Sequence, residues 1–235
     1  MEYPELQALK YQPFDSDIFR FPFYRLDPEK IDRVPEDFNF LRNTSHAQFG
    51  CDAKISTPEE ELSSKVVSLG FKIVCQQTTL ELDTSQQSVM GEEFVKTSEV
   101  LSDSEILSHS HNFKHDRLSL DNRIPPKIVS EFYSKWIRNA FTINSKKVHV
   151  IGSGCCIVMQ QKDQLKIDLV SVLEKRKGFG KRLLMKVLYD AKHQGRKIVQ
   201  VTTESHNEGA IRLYEKCGFR PISTHHCLHY FNISD

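Results

Sequence analysis

The sequence predicts an α/β fold, on three observations. A hydrophobic strand runs into a glycine-spaced basic turn, two amphipathic helices each stop at a glycine, and short β-rich runs lie between and after them. The elements follow in order. Thr57-Pro-Glu-Glu-Glu61 has the proline and acids of a helix start. Leu62, Val66 and Leu69 supply an apolar stripe, and Leu69-Gly-Phe-Lys-Ile-Val74 leads into a strand continuing to Leu82. The polar stretch Thr84 to Glu93 reads as a linker, which predicts an N-terminal α/β domain over 1–88 and a second domain over 92–235. Val148 to Ile151 and Cys155 to Gln160 are apolar strand segments, and Gln161-Lys-Asp-Gln164 turns the chain into Leu165 to Val172.

Leu183, Leu184, Val187, Leu188 and Ala191 then recur at helical spacing up to a stop at Gly195, and a short strand spans Ile198 to Thr203. Asn207 is placed to cap a second helix with Ala210, Leu213, Tyr214 and Cys217 on one stripe and Gly218 as its stop; the last strand is Cys227 to Asn232. The junction Cys217-Gly-Phe-Arg-Pro-Ile222 echoes the one at Leu69 to Val74. The N-terminal part therefore reads as a reduced copy of the same helix-to-strand module, although a helix ending in glycine before an aromatic strand is also a common pattern.

The turn Lys175-Arg-Lys-Gly-Phe-Gly180 is suited to phosphate. Gly178 and Gly180 let backbone approach an anion, the following amides form the positive end of a helix dipole, and Lys175, Arg176, Lys177, Lys181 and Arg182 add mobile charge. The chain's net charge of +1 gives no reason to expect a nucleic-acid partner. The first fifteen residues lack an apolar leader and no stretch reaches the ~20 apolar residues of a membrane span, so a soluble, cytoplasmic protein is expected, with no membrane partner. At 235 residues and 39% hydrophobic content, the chain can build one large or two small cores. Its six cysteines lack a paired C-x-x-C framework and read as buried thiols. His225, His226 and His229 lack partners at ligand spacing, so no metal is expected and a strand-edge role is preferred.

Two segments together resemble the GNAT superfamily of acyl-CoA-dependent N-acyltransferases. Its Arg/Gln-x-x-Gly-x-Gly/Ala motif maps onto Lys175 to Gly180, and its Asn-x-x-Ala-x-x-Leu-Tyr-x-x-x-Gly-Phe signature is met at Asn207, Ala210, Leu213, Tyr214, Gly218 and Phe219. The departures are Lys175 in place of Arg or Gln and Arg176 where many members have glycine. The resemblance implies a mixed, mostly antiparallel central sheet flanked by helices, with acetyl-CoA or another short acyl-CoA as co-substrate. It also implies a cofactor surface of Val170, Val172, Lys175, Arg176, Lys177, Gly178, Phe179, Gly180, Lys181, Asn207, Ala210 and Tyr214. By the same resemblance the two central strands should splay apart, an amide near Val172 should meet the thioester carbonyl, Tyr214 should protonate the departing sulfur, and Asn207 should orient the cofactor arm or a water. The alternative for Tyr214 is simple packing. The base that takes the amine proton is not marked.

Phe14-Asp-Ser-Asp-Ile-Phe-Arg-Phe-Pro-Phe-Tyr-Arg-Leu26, Leu69-Gly-Phe71, His115-Asp-Arg-Leu-Ser-Leu-Asp-Asn-Arg-Ile-Pro125 and Tyr133-Ser-Lys-Trp-Ile-Arg-Asn139 resemble the bacterial dTDP-fucosamine acetyltransferases and their relatives. That resemblance implies acylation of a nucleotide-linked amino-dideoxysugar, in polysaccharide biosynthesis such as that of O-antigen, with the N-terminal domain as one wall of the acceptor site. A homodimer is among the states it allows. It places Arg117 and Asp121 at the acceptor, against which stands an intraloop ion pair between them. A peptide or other small amine as acceptor, or an acyl-CoA-binding module without catalysis, are the competing readings.

Overall fold

Period-two alternation and glycine stops place most of the elements of the C-terminal half, and the computed structural model supplies the rest. It describes residues 5–44, 48–86 and 100–233. The elements are β1 (Leu9–Tyr11), α1 (Pro13–Phe19), β2 (Phe23–Leu26), a 3-10 turn over Pro28–Arg33, α2 (Val34–Arg42), β3 (Phe49–Ser56), α3 (Glu60–Ser68) and β4 (Lys72–Asp83). After a short 3-10 turn at Thr84–Gln86 come α4 (Asp103–Ser110), α5 (Pro126–Ala140), β5 (Lys146–Ile151), β6 (Gly154–Gln160), β7 (Gln164–Val172), α6 (Phe179–His193), β8 (Ile198–Glu204), α7 (Glu208–Lys216) and β9 (Arg220–Asn232). The expected linker over 84–93 lies outside the described residues from 87 onward. Sequence pattern leaves the elements before α3, together with α4 and α5, unassigned, and it starts β9 seven residues late.

The described chain divides into two compact units, and not along a cut between 88 and 92. One is 1–77 with 224–235; the other is 78–223. In the first, strands run in the order β1-β2-β3-β9-β4, with β1 antiparallel to β2, β2 parallel to β3, and β3 antiparallel to β9 from Phe49↔Asn232 to Ser56↔His225. Its core gathers Leu9, Tyr24, Leu26, Val34, Phe38, Leu41, Phe49, Ile55, Val66 and Phe71, with Phe38 stacked on Tyr230 at 4.4 Å. In the second unit the order is β4-β8-β7-β6-β5, with β5, β6 and β7 antiparallel and β7 parallel to β8. Its core packs Leu183, Leu184, Val187, Leu188 and Ala191 of α6 against Leu165, Ile167, Val199 and Val201, and against Tyr214 and Phe219.

β9 is thirteen residues long because it serves both units, and this moves the boundary. It also overturns the strand-edge reading of the histidines: β9 lies between β3 and β4, and His229, opposite Asp52, is 1% exposed. All six cysteines are buried thiols; burial pushes Cys155 up to about 12, and Cys156 upward as well. Among the described residues no helix is long and apolar enough to cross a membrane, and no group of His, Cys, Asp or Glu is placed to hold a metal ion.

The echo between the two glycine junctions extends to backbone geometry. α3 and α7 are both nine residues long. They start from Glu59 (φ −90°, ψ 63°) and Asn207 (φ −80°, ψ 66°), and end on Leu69 (φ −79°, ψ 1°) and Cys217 (φ −91°, ψ 2°). Gly70 and Gly218 then both take φ 96°, in the left-handed region that favours glycine, and deliver Phe71 and Phe219, each 2% exposed, to their cores.

Candidate acyl-CoA site

The site begins where β7 and β8 part. Their pairing joins Gln164–Ile167 to Ile198–Val201, while β7 continues to Val172 and β8 to Glu204. A bulge marks the point of parting: Ile157 faces Leu169 and Val158 faces Ile167, so Asp168 is the extra residue, and its carboxylate meets Lys146 Nζ at 2.9 Å. One added residue shifts the side-chain phase. Leu165 and Ile167 enter the core beneath α6, then Val170 and Val172 do, while Ser171 turns to the other face. There Ser171 Oγ meets His109 Nδ1 at 2.8 Å, and Asn112 Nδ2 donates to Ser171 Oγ (3.0 Å) and to the Val172 carbonyl (3.3 Å). Burial pushes the His109 pKa down, so its ring is neutral and can accept the Ser171 proton.

Beyond Val172 the chain turns through exposed residues 173–178 into α6. Arg176 (φ 65°) and Gly178 (φ 81°) are both left-handed, and no side chain caps the helix. Arg176 thus occupies the left-handed region that favours glycine, the residue the family resemblance expects there. An arginine held in that region costs about 1–2 kcal/mol, a strain characteristic of ligand-binding turns. Among the described residues, none of the amides of 175–181 donates to a backbone carbonyl; Arg182 is the first, onto Gly178 (3.1 Å). The result is a backbone concavity of unused donors at a helix N-terminus, flanked by Lys175, Arg176, Lys177 and Lys181, which suits a pyrophosphate. A Cβ at Gly180 would lie 2.9 Å from Leu213 Cδ2 of α7, so the end of that side chain would have to shift to admit one.

The remaining expected residues are more scattered. Val170, Val172, Phe179 and Ala210 are partly buried around the same core as Tyr214. Tyr214 is 5% exposed, and burial, then Cys156 and Glu204, push its hydroxyl pKa up, so it stays a proton donor. Asn207 is exposed, and its side chain is engaged within the protein: Oδ1 accepts from Ala210 N (3.2 Å) and Nδ2 donates to Thr203 Oγ1 (3.3 Å). Its cap role is therefore present in the fold itself.

Asp121 is gripped by Arg123 in a two-point pair at 2.8 and 2.7 Å, both side chains largely buried. The backbone amide of Arg117 donates to Glu204 Oε1 (3.3 Å), and its guanidinium lies 6.0 Å from the Phe132 ring centroid.

Sequence reading misses a second group beside this loop, on α5 and β8. Tyr133, stacked on Phe113 at 3.9 Å, has its hydroxyl pKa raised by burial and by Asp116, with Arg117 and Glu204 also in its field. Glu204 ends β8 and is electrostatically coupled to both Tyr133 and Tyr214. The only local signal for it is its place three residues before Asn207.

Residues 109–219 match the model of the acetyltransferase (GNAT) family. No curated protein sequence matches the chain. Among solved structures, a functionally unknown conserved protein from Staphylococcus epidermidis superposes with a TM-score of 0.61 at 14% identity, over 99% of this chain and 94% of that one. A GCN5-related N-acetyltransferase from Sphaerobacter thermophilus gives 0.61 at 12%, over 96% and 76%. A tandem GNAT protein from the clavulanic acid biosynthesis pathway gives 0.56 at 12%, over 92% and 77%. The family match across the parted strands and basic turn, together with these superpositions, gives the chain the GNAT acetyltransferase fold.

Proposed function

We propose that this protein transfers an acetyl or other short acyl group from acyl-CoA to a primary amine by direct attack, and that the amine belongs to a dTDP-linked amino-dideoxysugar. The observation that carries the reaction is the conjunction of three features in one unit. They are the unused amides of 175–181, the parting of β7 from β8 beyond Ile167, and a buried phenol at Tyr214. In this reading the neutral amine attacks the thioester carbonyl, a β7 amide near Val172 stabilises the oxyanion, the C–S bond breaks, and Tyr214 protonates the leaving sulfur. Glu204 receives the amine proton. No cysteine carries the acyl group, in keeping with thiols that burial keeps protonated.

The sugar half of the reading rests on the resemblance of Phe14 to Leu26 and of His115 to Pro125, with Arg117 offered to the nucleotide. Release of coenzyme A thiol from acetyl-CoA, followed over a panel of dTDP-amino-dideoxyhexoses and lysine peptides, tests both halves. Turnover is expected with a dTDP-aminosugar and not with peptides. Turnover with peptides alone would remove the sugar and leave the acyl transfer.

A further inference from the structure

The matching caps of α3 and α7 are the visible end of a longer correspondence. β1 and β2 are antiparallel and β2 is parallel to β3, as β6 and β7 are antiparallel and β7 is parallel to β8. A helix joins each parallel pair, α2 in one case and α6 in the other, and α3 or α7 with a final strand follows. Apart from α1, which is inserted between β1 and β2, the series β1-β2-α2-β3-α3-β4 thus repeats as β6-β7-α6-β8-α7-β9. We infer that the chain is an internal duplication in which only the second copy binds acyl-CoA, so that one chain takes up one coenzyme A. This rests on the acyl-CoA reading of the second copy's turn.

The first copy retains the framework and has lost each feature that binds the anion. Val172 reaches Phe179 through a turn with two left-handed residues, whereas Leu26 reaches Val34 through Asp27-Pro-Glu-Lys-Ile-Asp-Arg33, with no glycine and no positive φ. Pro28 and Pro35 have no N–H to offer. The Asp27 side chain already accepts Glu29 N, at 3.2 Å. Charge is inverted: from Asp27 to Asp37 there are five acids and two bases, against one acid and five bases from Leu173 to Arg182.

At the helix starts, Val34-Pro-Glu-Asp37 stands where Phe179-Gly-Lys-Arg182 stands. Asp37, 4% exposed, accepts the amides of Gln7 (3.0 Å) and Ala8 (2.7 Å), which holds a buried carboxylate at the helix start where the second copy has Arg182. The counterpart of Tyr214 is Val66 and that of Asn207 is Glu59. Leu26 and Val34 are at most 3% exposed, whereas Val172 and Phe179 are only partly buried, as a slot for a ligand requires.

Calorimetric titration of the whole chain with coenzyme A is expected to give one site. Lys181→Glu with Arg182→Asp, which writes the first copy's charges into the second, should weaken that site at least ~10-fold with no second site left behind. Glu36→Lys, at an exposed position of the first copy, should leave affinity and stoichiometry unchanged. Melting curves of both variants establish that they are folded. Two sites in the wild-type chain, or a site of undiminished affinity in the charge-reversed variant, would overturn the inference. No binding by the wild-type chain would overturn the proposed function, and this inference with it.

Discussion

Tyr214 carries the sharpest expectation at the scale of single residues, because replacing it with phenylalanine removes one atom from a buried ring. If its hydroxyl protonates the leaving sulfur, Tyr214→Phe should lower single-turnover transfer by ~10²-fold with coenzyme A affinity and melting temperature nearly unchanged. An undiminished rate would return Tyr214 to the core as packing. The turn offers a contrast between backbone and side chain. Gly180→Val drives carbon into Leu213 and Gly178→Val strains a φ of 81°, so each should weaken coenzyme A binding more than Lys175→Ala does, measured by titration. Equal losses would put the binding in the side chains. These residues are legible in sequence because glycine spacing and helical stripes are local. Glu204 and Tyr133 are not, since the loop that meets Glu204 is 87 positions away and no spacing announces it.

Between elements, one polar cluster fastens α6 to β5 and makes stability depend on pH. Asp190 lies 3.2 Å from Lys147 Nζ, 3.3 Å from His149 Nε2, and is also bonded to Lys186. Burial acts to raise the Asp190 pKa, and the two lysines hold it below its usual value. His149 is 2% exposed, and burial outweighs the attraction of Asp190, so its pKa falls to about 4. A histidine depressed on folding contributes its stability above its unfolded value of about 6.5 and loses it as pH falls towards 4, by up to about 3 kcal/mol. Melting temperature should therefore drop between pH 6.5 and 4, and less so in His149→Gln; parallel curves would exclude His149 as the cause.

Legibility ends at geometry on this scale too. Leu165, Ile167, Leu169 and Ser171 alternate without interruption in the sequence, yet the bulge at Asp168 sends the last two to the opposite face from the first two. Hydrophobic periodicity records which residues are apolar and not where one is left over. In α1 and α2, of seven and nine residues, the pattern is too short to stand out from the strands around it.

For the molecule as a whole, the sugar panel decides between acceptors that share every coenzyme A motif, and a chain active on dTDP-aminosugars should leave lysine peptides untouched. The repeat is legible in two Leu/Cys-Gly-Phe junctions, but the pairing of β9 with β3 is not, because the partners lie far apart in sequence. That pairing has a consequence for biosynthesis. β3 is made early, while the stretch that pairs with it, His225 to Asn232, is made some 170 residues later. A chain emerging from the ribosome can complete the second unit first, and until the last strand is released β3 presents an unpaired edge. The part translated first is finished last, and a ribosome stalled near residue 220 would expose a sticky intermediate to the cell's chaperones.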